Sequence, residues 1–167
     1  MPKLSAGIML YRQGDHGVEI LLVHPGGPFW AKKDIGAWSI PKGEYEEGDD
    51  VFAAAKREFR EETGFDAPAG EPAELGQVKY SNKILTAWSL AGSVDARRVK
   101  SNMFTMEWPP KTGRKQEFAE VDRAGWFPPA IAKQKLVKGQ VELVDRLCEQ
   151  LDVSADEAEN QSQMTLL

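Results

Sequence analysis

Apolar, β-prone residues fill positions 6–11 and 18–24, and the polar stretch Arg12-Gln13-Gly14-Asp15-His16-Gly17 between them predicts a two-stranded hairpin. Residues 25–34, Pro-Gly-Gly-Pro-Phe-Trp-Ala-Lys-Lys-Asp, hold too much Gly and Pro for regular structure and read as a loop carrying two aromatics and two lysines. Trp38-Ser39-Ile40 predicts a short strand ending at Pro41. Residues 50–62 give the clearest helix, with Asp49 or Asp50 as its cap, a run of alanines, and Gly64 just past its end. Residues 74–80, 84–91 and 103–108 are predicted strands, 109–113 a loop, and 130–151 one or two helices interrupted near Gly139. The polar, acidic and aperiodic residues 152–167 predict a flexible tail behind a single domain spanning 1–151.

With 167 residues, 41% hydrophobic and 28% charged, the chain suits one globular domain able to bury a core. Its apolar runs, such as residues 20–23, fall far short of the roughly 18 to 20 residues of a membrane span, and no export leader is recognisable. A lone Cys148 builds neither a disulfide framework nor a cysteine-rich zinc site, so a cytoplasmic setting is expected. The net charge of −5 is unevenly spread: residues 41–66 carry −5, residues 152–167 carry −4, and the remainder +4. That distribution disfavours a nucleic-acid binder, whose affinity comes from a basic surface, and leaves a local acidic cluster on a mildly basic body.

On the predicted helix, Glu58, Glu61 and Glu62 share one face, while Phe52, Ala55 and Phe59 lie about a quarter turn away for packing. Glutamates three or four residues apart repel by up to ~3 kcal/mol at an effective dielectric of about 20. Hard oxygen ligands so grouped suit Mg²⁺ or Mn²⁺, completed by water and substrate phosphate oxygens. Taken alone, the run is also an ordinary solvated face with Arg57 and Glu61 at ion-pair spacing. His16 and His24 are too few and too separated for a histidine-centred site, and no serine sits on a nucleophile elbow.

The wider pattern decides between these readings. From Gly43 the chain runs through five residues to Asp49, through seven more, then Arg57-Glu58-Phe59-Arg60-Glu61-Glu62-Thr63-Gly64-Phe65. This resembles the Nudix box: Gly, five residues, Glu, seven residues, then Arg-Glu-apolar-x-Glu-Glu-x-Gly-apolar. Chance would produce such a match on the order of once in 10⁷ chains of this length. Asp49 departs from the usual Glu, which bears on metal affinity or on loop geometry. The resemblance implies an α/β (α+β) fold, an α/β/α sandwich around a mixed β-sheet with the box as loop, helix, loop, and covers most of residues 5–150. It also implies hydrolysis of a nucleoside diphosphate linked to another group. Glu61 and Glu62 would then be core ligands for Mg²⁺ or Mn²⁺, and Glu58 a further ligand or the base that activates water. The main-chain carbonyl of Lys42 or Gly43 would complete the shell, with Arg57 orienting the glutamates.

Pro41-Lys42-Gly43 is similar to the dinucleoside polyphosphate and diphosphoinositol polyphosphate branches, and Ser5-Ala6-Gly7-Ile8 and residues 82–88 look like diadenosine tetraphosphate hydrolases. Glu120, six residues before Trp126, has a spacing similar to that of the family's downstream metal-binding or base glutamate, with Glu117 in reserve. Lys42, Lys32, Lys33 and Lys83 are the candidate phosphate cations. Phe29, Trp30 and Tyr80 are the candidate stacking surfaces for a base, whereas Trp38 and Trp88 belong to the core or a sheet face. No proline stands where the ADP-ribose branch has one after the box. The expected protein is therefore a metal-dependent phosphoanhydride hydrolase acting on a small nucleotide, best a dinucleoside polyphosphate. A nucleoside triphosphate pyrophosphohydrolase and a non-catalytic nucleotide-sensing module are the alternatives, and monomer and homodimer both stay open.

Overall fold

The computed structural model of the chain describes residues 1–155, so residues 156–167, the greater part of the expected tail, lie outside the described residues. The predicted hairpin forms from β1 (Lys3–Gly14) and β2 (Gly17–Pro25), paired antiparallel down to Gly14 and Gly17. The helix α1 (Val51–Thr63) is capped as its sequence predicts: the Asp50 carboxylate accepts from Phe52 N, and Gly64, at φ +80°, donates its N–H to Arg60 O. β4 (Ala73–Tyr80) and β5 (Lys83–Ala91) follow, then β6 (Met103–Glu107), β7 (Lys115–Ala119) and β8 (Val121–Phe127). The last helical stretch is α2 (Pro129–Lys135), a 3₁₀ turn at Lys138–Gln140 containing Gly139, and α3 (Val141–Leu151). Beyond it the N–H of Val153 bonds to Cys148 O, and Ala155 packs against the core.

Trp38-Ser39-Ile40 is not a full strand. Trp38 and Ser39 make only isolated bridges, to Leu136 and Val23, and the strand β3 (Lys42–Glu44) comes after Pro41 rather than before it. The proline ends one pairing by removing an N–H donor, and the chain resumes pairing on β1 at the next residue.

The main sheet runs β4-β5-β1-β2-β8, with β3 also on β1, and is antiparallel except for the β1–β5 pair. β1 is shared: Ser5 to Gly7 pair with β3, whereas Tyr11 to Gly14 pair with β2. From Ile20 onward β2 pairs with β8. The sheet consequently parts between β2 and β3, and a cleft lined by Val23, Pro25 and Lys42 opens at this parting.

Alternation along β1 sends Ile8 and Leu10 to one face, against Ala54, Ala55 and Phe59 of α1. Met9 faces the other way, into a cluster with Leu22, Leu143, Val144 and Leu147 that seats α3. Phe59, fully buried, contributes about 1.5–3 kcal/mol of apolar transfer and locks the rotation of the helix that carries the glutamates. The fold is the expected α/β/α sandwich around a mixed sheet. Among the described residues no helix is long and apolar enough to cross a membrane.

Candidate active site

Packing Phe59 inward leaves Glu58 against Gly43 and Glu62 against Lys42 of β3, with Glu61 close enough to act on the charge of Glu58 and Glu120. Glu58 lies against Gly43 so tightly that a Cβ there would stand 2.0 Å from Glu58 Oε2. Arg57 donates from Nη2 to Glu58 Oε1 (3.3 Å) and to the Glu44 carbonyl (3.2 Å), tying helix to β3. It makes these contacts rather than the helical pair with Glu61. Glu62 Oε1 accepts from Lys42 N at 3.1 Å. Asp49 belongs to the loop: its Oδ2 accepts from Glu46 N and its own N–H donates to Glu46 O.

Glu120, from the segment between β7 and β8, completes a four-carboxylate cluster. Burial pushes Glu58 up, reinforced by the charge of Glu61, and pushes Glu120 up with the same neighbour adding to it. Glu62, half-buried at the cleft wall, is pushed up by desolvation to about 7, against the opposing pull of Lys42. Glu117 is exposed on β7 and takes no part in the cluster.

The position of Glu62 gives a pH signature for metal-free protein. Between the ordinary value of 4.5 and about 7, the folded chain keeps a proton that the unfolded chain releases. Stability therefore falls as pH rises through that window and levels above it, by roughly 3 kcal/mol in full. Chemical denaturation in chelator from pH 5 to 8 should show this decline, flattened in Glu62→Gln; a decline of the same size in both proteins would remove the assignment.

The cleft at the parting, about 620 Å³, is lined by Glu62 and Glu120 at one end and by Lys42, Lys83, Trp30, Tyr80 and Gln140 around it. Of the predicted substrate-binding residues, Lys42, Lys83, Trp30 and Tyr80 thus line one space. Lys32 and Lys33 do not; both are exposed, and Lys33 Nζ sits 4.9 Å over the Trp30 ring. Phe29 also stays outside the lining and packs edge-on against Trp108. Trp38 is buried in the core and Trp88 packs edge-on against Phe52, as expected. His24 is fully buried, its ring nitrogens 2.8 Å from Asp122 Oδ1 and 2.6 Å from Lys33 O, which gives it a scaffolding place.

Gln140 and Ser39 were not foreseen. The Gln140 carbonyl oxygen accepts from Ile40 N, which fixes its amide nitrogen as donor to Ser39 Oγ and to Tyr80 Oη. Tyr80 accepts there, so its own hydroxyl hydrogen is left to donate elsewhere. The structure thereby gives Tyr80 a polar tip at the cleft wall, with Gly139 packed against its ring. Gln140 stands one hundred residues from Ile40, and no local pattern signals that pairing.

The donor set fits a hard divalent cation: four carboxylates, three of them pushed toward protonation by burial and by one another, have an electrostatic need for positive charge beyond Lys42. Among the described residues no three His, Cys, Asp or Glu side chains already stand in an ion-holding arrangement. A cation bound here would require side-chain adjustment and oxygen atoms from water or substrate, as Mg²⁺ sites commonly do.

The family model for the NUDIX domain matches residues 1–147, and the chain belongs to this family. Over 85 residues it is 34% identical to the 8-oxo-(d)GTP phosphatase of Mycolicibacterium smegmatis, a match covering 46% of this chain and 24% of that protein. The matched stretch thus spans about a quarter of the length of that relative. Its fold is similar to that of the C. elegans Ap4A hydrolase binary complex (TM-score 0.62, 20% identity, 89% of this chain and 98% of that one). It is also similar to the NUDIX domain of Shewanella oneidensis NrtR complexed with ADP ribose (TM-score 0.61, 18% identity, 90% and 89%).

Proposed function

We propose that the chain is a Mg²⁺- or Mn²⁺-dependent hydrolase that cleaves a phosphoanhydride bond in a nucleotide, with a dinucleoside polyphosphate such as diadenosine tetraphosphate as its best substrate. The observation that carries this reading is the opening of the carboxylate cluster, through Glu62 and Glu120, onto a cleft that also holds three lysines, Lys42, Lys83 and Lys138, and two aromatic rings. Glu58, Glu61, Glu62 and the Gly43 carbonyl would hold the cation, which when bound supplies charge neutralisation at the phosphoryl oxygens. Lys42 and Lys83 bind the phosphate chain as point charges. Trp30 offers a face to a base, and the Tyr80 hydroxyl, oriented by Gln140, donates to an acceptor on the substrate. Glu58 is lodged against Gly43 and paired with Arg57, whereas Glu120 borders the cleft; Glu120 is accordingly the group that accepts the proton of the attacking water. The same reading places the enzyme in the cytoplasm with a small nucleotide, and neither nucleic acid nor membrane, as its partner.

The stretch 34% identical to an 8-oxo-(d)GTP phosphatase favours a second reading, a nucleoside triphosphate pyrophosphohydrolase. Turnover with Mg²⁺ and with Mn²⁺ is to be compared across diadenosine polyphosphates, nucleoside triphosphates including 8-oxo-dGTP, ADP-ribose, a nucleotide sugar and an inositol pyrophosphate. Diadenosine tetraphosphate is expected to be cleaved fastest, to ATP and AMP, with ¹⁸O-labelled water locating the attacked phosphorus. Release of pyrophosphate from a triphosphate at higher kcat/KM would select the second reading, and nucleotide binding without any turnover would select a sensing module.

A further inference from the structure

Trp30 reaches the cleft from a loop rich in Gly and Pro, yet the loop is pinned along its length. At its start Gly26 donates to Glu120 O at 2.9 Å, and it lies so close to the backbone that a Cβ would fall 1.9 Å from Ala119 O. At its end Lys33 O meets the buried His24 at 2.6 Å, while Asp34 accepts from Trp38 Nε1 (2.7 Å) and Lys135 Nζ (2.9 Å). Both nitrogens of His24 face acceptor oxygens, so the ring ties the loop to Asp122 of β8.

The middle of the loop rests on a separate element. β6 and β7 form a two-stranded arm outside the main sheet. Along β6 the half-buried Phe104 and Met106 alternate with exposed Met103, Thr105 and Glu107, so one face of the arm is covered. Phe104 reaches Gly27, where a Cβ would stand 3.0 Å from its ring, and Trp108 just past β6 meets Phe29 edge to face with ring centroids 5.3 Å apart. Among the described residues Trp30 is the one member of residues 26–34 that lines the cleft, and it directly follows Phe29. The root of the arm is equally fixed: Asn102 N donates to Glu61 O (2.8 Å) and Glu120 N donates to Asn102 O (2.9 Å). The same arm is therefore registered against the carboxylate helix at its base and against the Trp30 loop along its inner face.

We propose that Trp108, acting through Phe29, is a positioning residue that holds Trp30 as a preformed wall of the cleft and so sets affinity for the nucleoside part of the substrate. The inference rests on the nucleotide reading of this cleft. Its physical basis is preorganisation: a loop already fixed in its binding geometry loses less freedom when ligand arrives, and the benefit falls on binding rather than on the bond-breaking step.

The test uses the full chain with Trp108→Ala, Phe29→Ala and Trp30→Ala. Affinity for a non-hydrolysable methylene-bridged ATP analogue is measured by calorimetry, with KM and kcat for the nucleotide turned over best. Trp108→Ala is expected to weaken binding and raise KM about tenfold, the scale of one lost base-stacking contact, with kcat within about twofold of the parent. Trp108→Phe should restore binding, and adding Trp108→Ala to Trp30→Ala should weaken it no further. Phe29→Ala, at an exposed site, gives the same readout should Trp108→Ala fail to fold. Parent-like binding by Phe29→Ala or a folded Trp108→Ala, full additivity with Trp30→Ala, or loss confined to kcat would overturn the positioning role while leaving the nucleotide reading intact. Failure of the parent protein itself to bind or cleave any nucleotide would remove that reading and this inference with it.

Discussion

Glu61→Gln and Glu62→Gln are each expected to lower metal-dependent turnover on the order of 10³-fold or more while leaving the fold intact, because each removes a carboxylate from the proposed cation site. Glutamine keeps the shape and an acceptor oxygen. In Glu62→Gln the amide oxygen can still receive Lys42 N, so the link from α1 to β3 survives. Relief of repulsion within the cluster predicts thermal stability equal to or above that of the parent in chelator. The two effects separate in one comparison: melting temperature with and without Mg²⁺, beside kcat/KM. Added Mg²⁺ should raise the melting temperature of the parent and leave that of either variant almost unchanged. Parent-like activity in both variants would exclude these glutamates as ligands.

Gly43→Ala is expected to cost about 10²-fold in kcat/KM, through geometry rather than charge. The added Cβ would stand 2.0 Å from Glu58 Oε2 and 2.2 Å from Cδ, so the glutamate must swing away and its pairing with Arg57 must break or be rebuilt. The contact involves a side chain, and β3 is only three residues long, so the strand gives little ground for global unfolding. In a Glu58→Ala background the same Gly43→Ala change should have little further effect, since the clash has gone. Equal losses in both backgrounds would place the importance of Gly43 elsewhere.

The box was legible because it combines local signals: Asp50 caps, Phe59 turns inward, Gly64 takes the left-handed φ, and the glutamates follow from helical periodicity. The β1–β2 hairpin was legible for a similar reason, as both strands alternate around one short polar turn. The strands β7 and β8 were not. Residues 115–119, Lys-Gln-Glu-Phe-Ala, are mostly exposed in a ribbon packed on one face only, so burial leaves almost no trace in their composition. The far wall of the cleft was hidden for another reason: Gln140 reaches Ile40, Ser39 and Tyr80 from distant parts of the chain, a meeting set by topology alone. Lysines mislead in the opposite direction, because Lys32 and Lys33 lie near Trp30 in sequence without lining the cleft it borders.

The parallel register of β1 with β5 joins Lys3 to Lys83 and continues to Tyr11 and Ala91, every pair eighty positions apart. The whole glutamate-bearing box lies inside the loop that this pairing closes. Closing a loop of that length costs roughly 2 kcal/mol more than closing a ten-residue hairpin, so a helix formed early has no finished sheet on which to dock. During synthesis this pairing is complete only after residue 91 has left the ribosome, and Glu120 follows later still, so a nascent chain halted earlier holds the complete box sequence without the full carboxylate cluster.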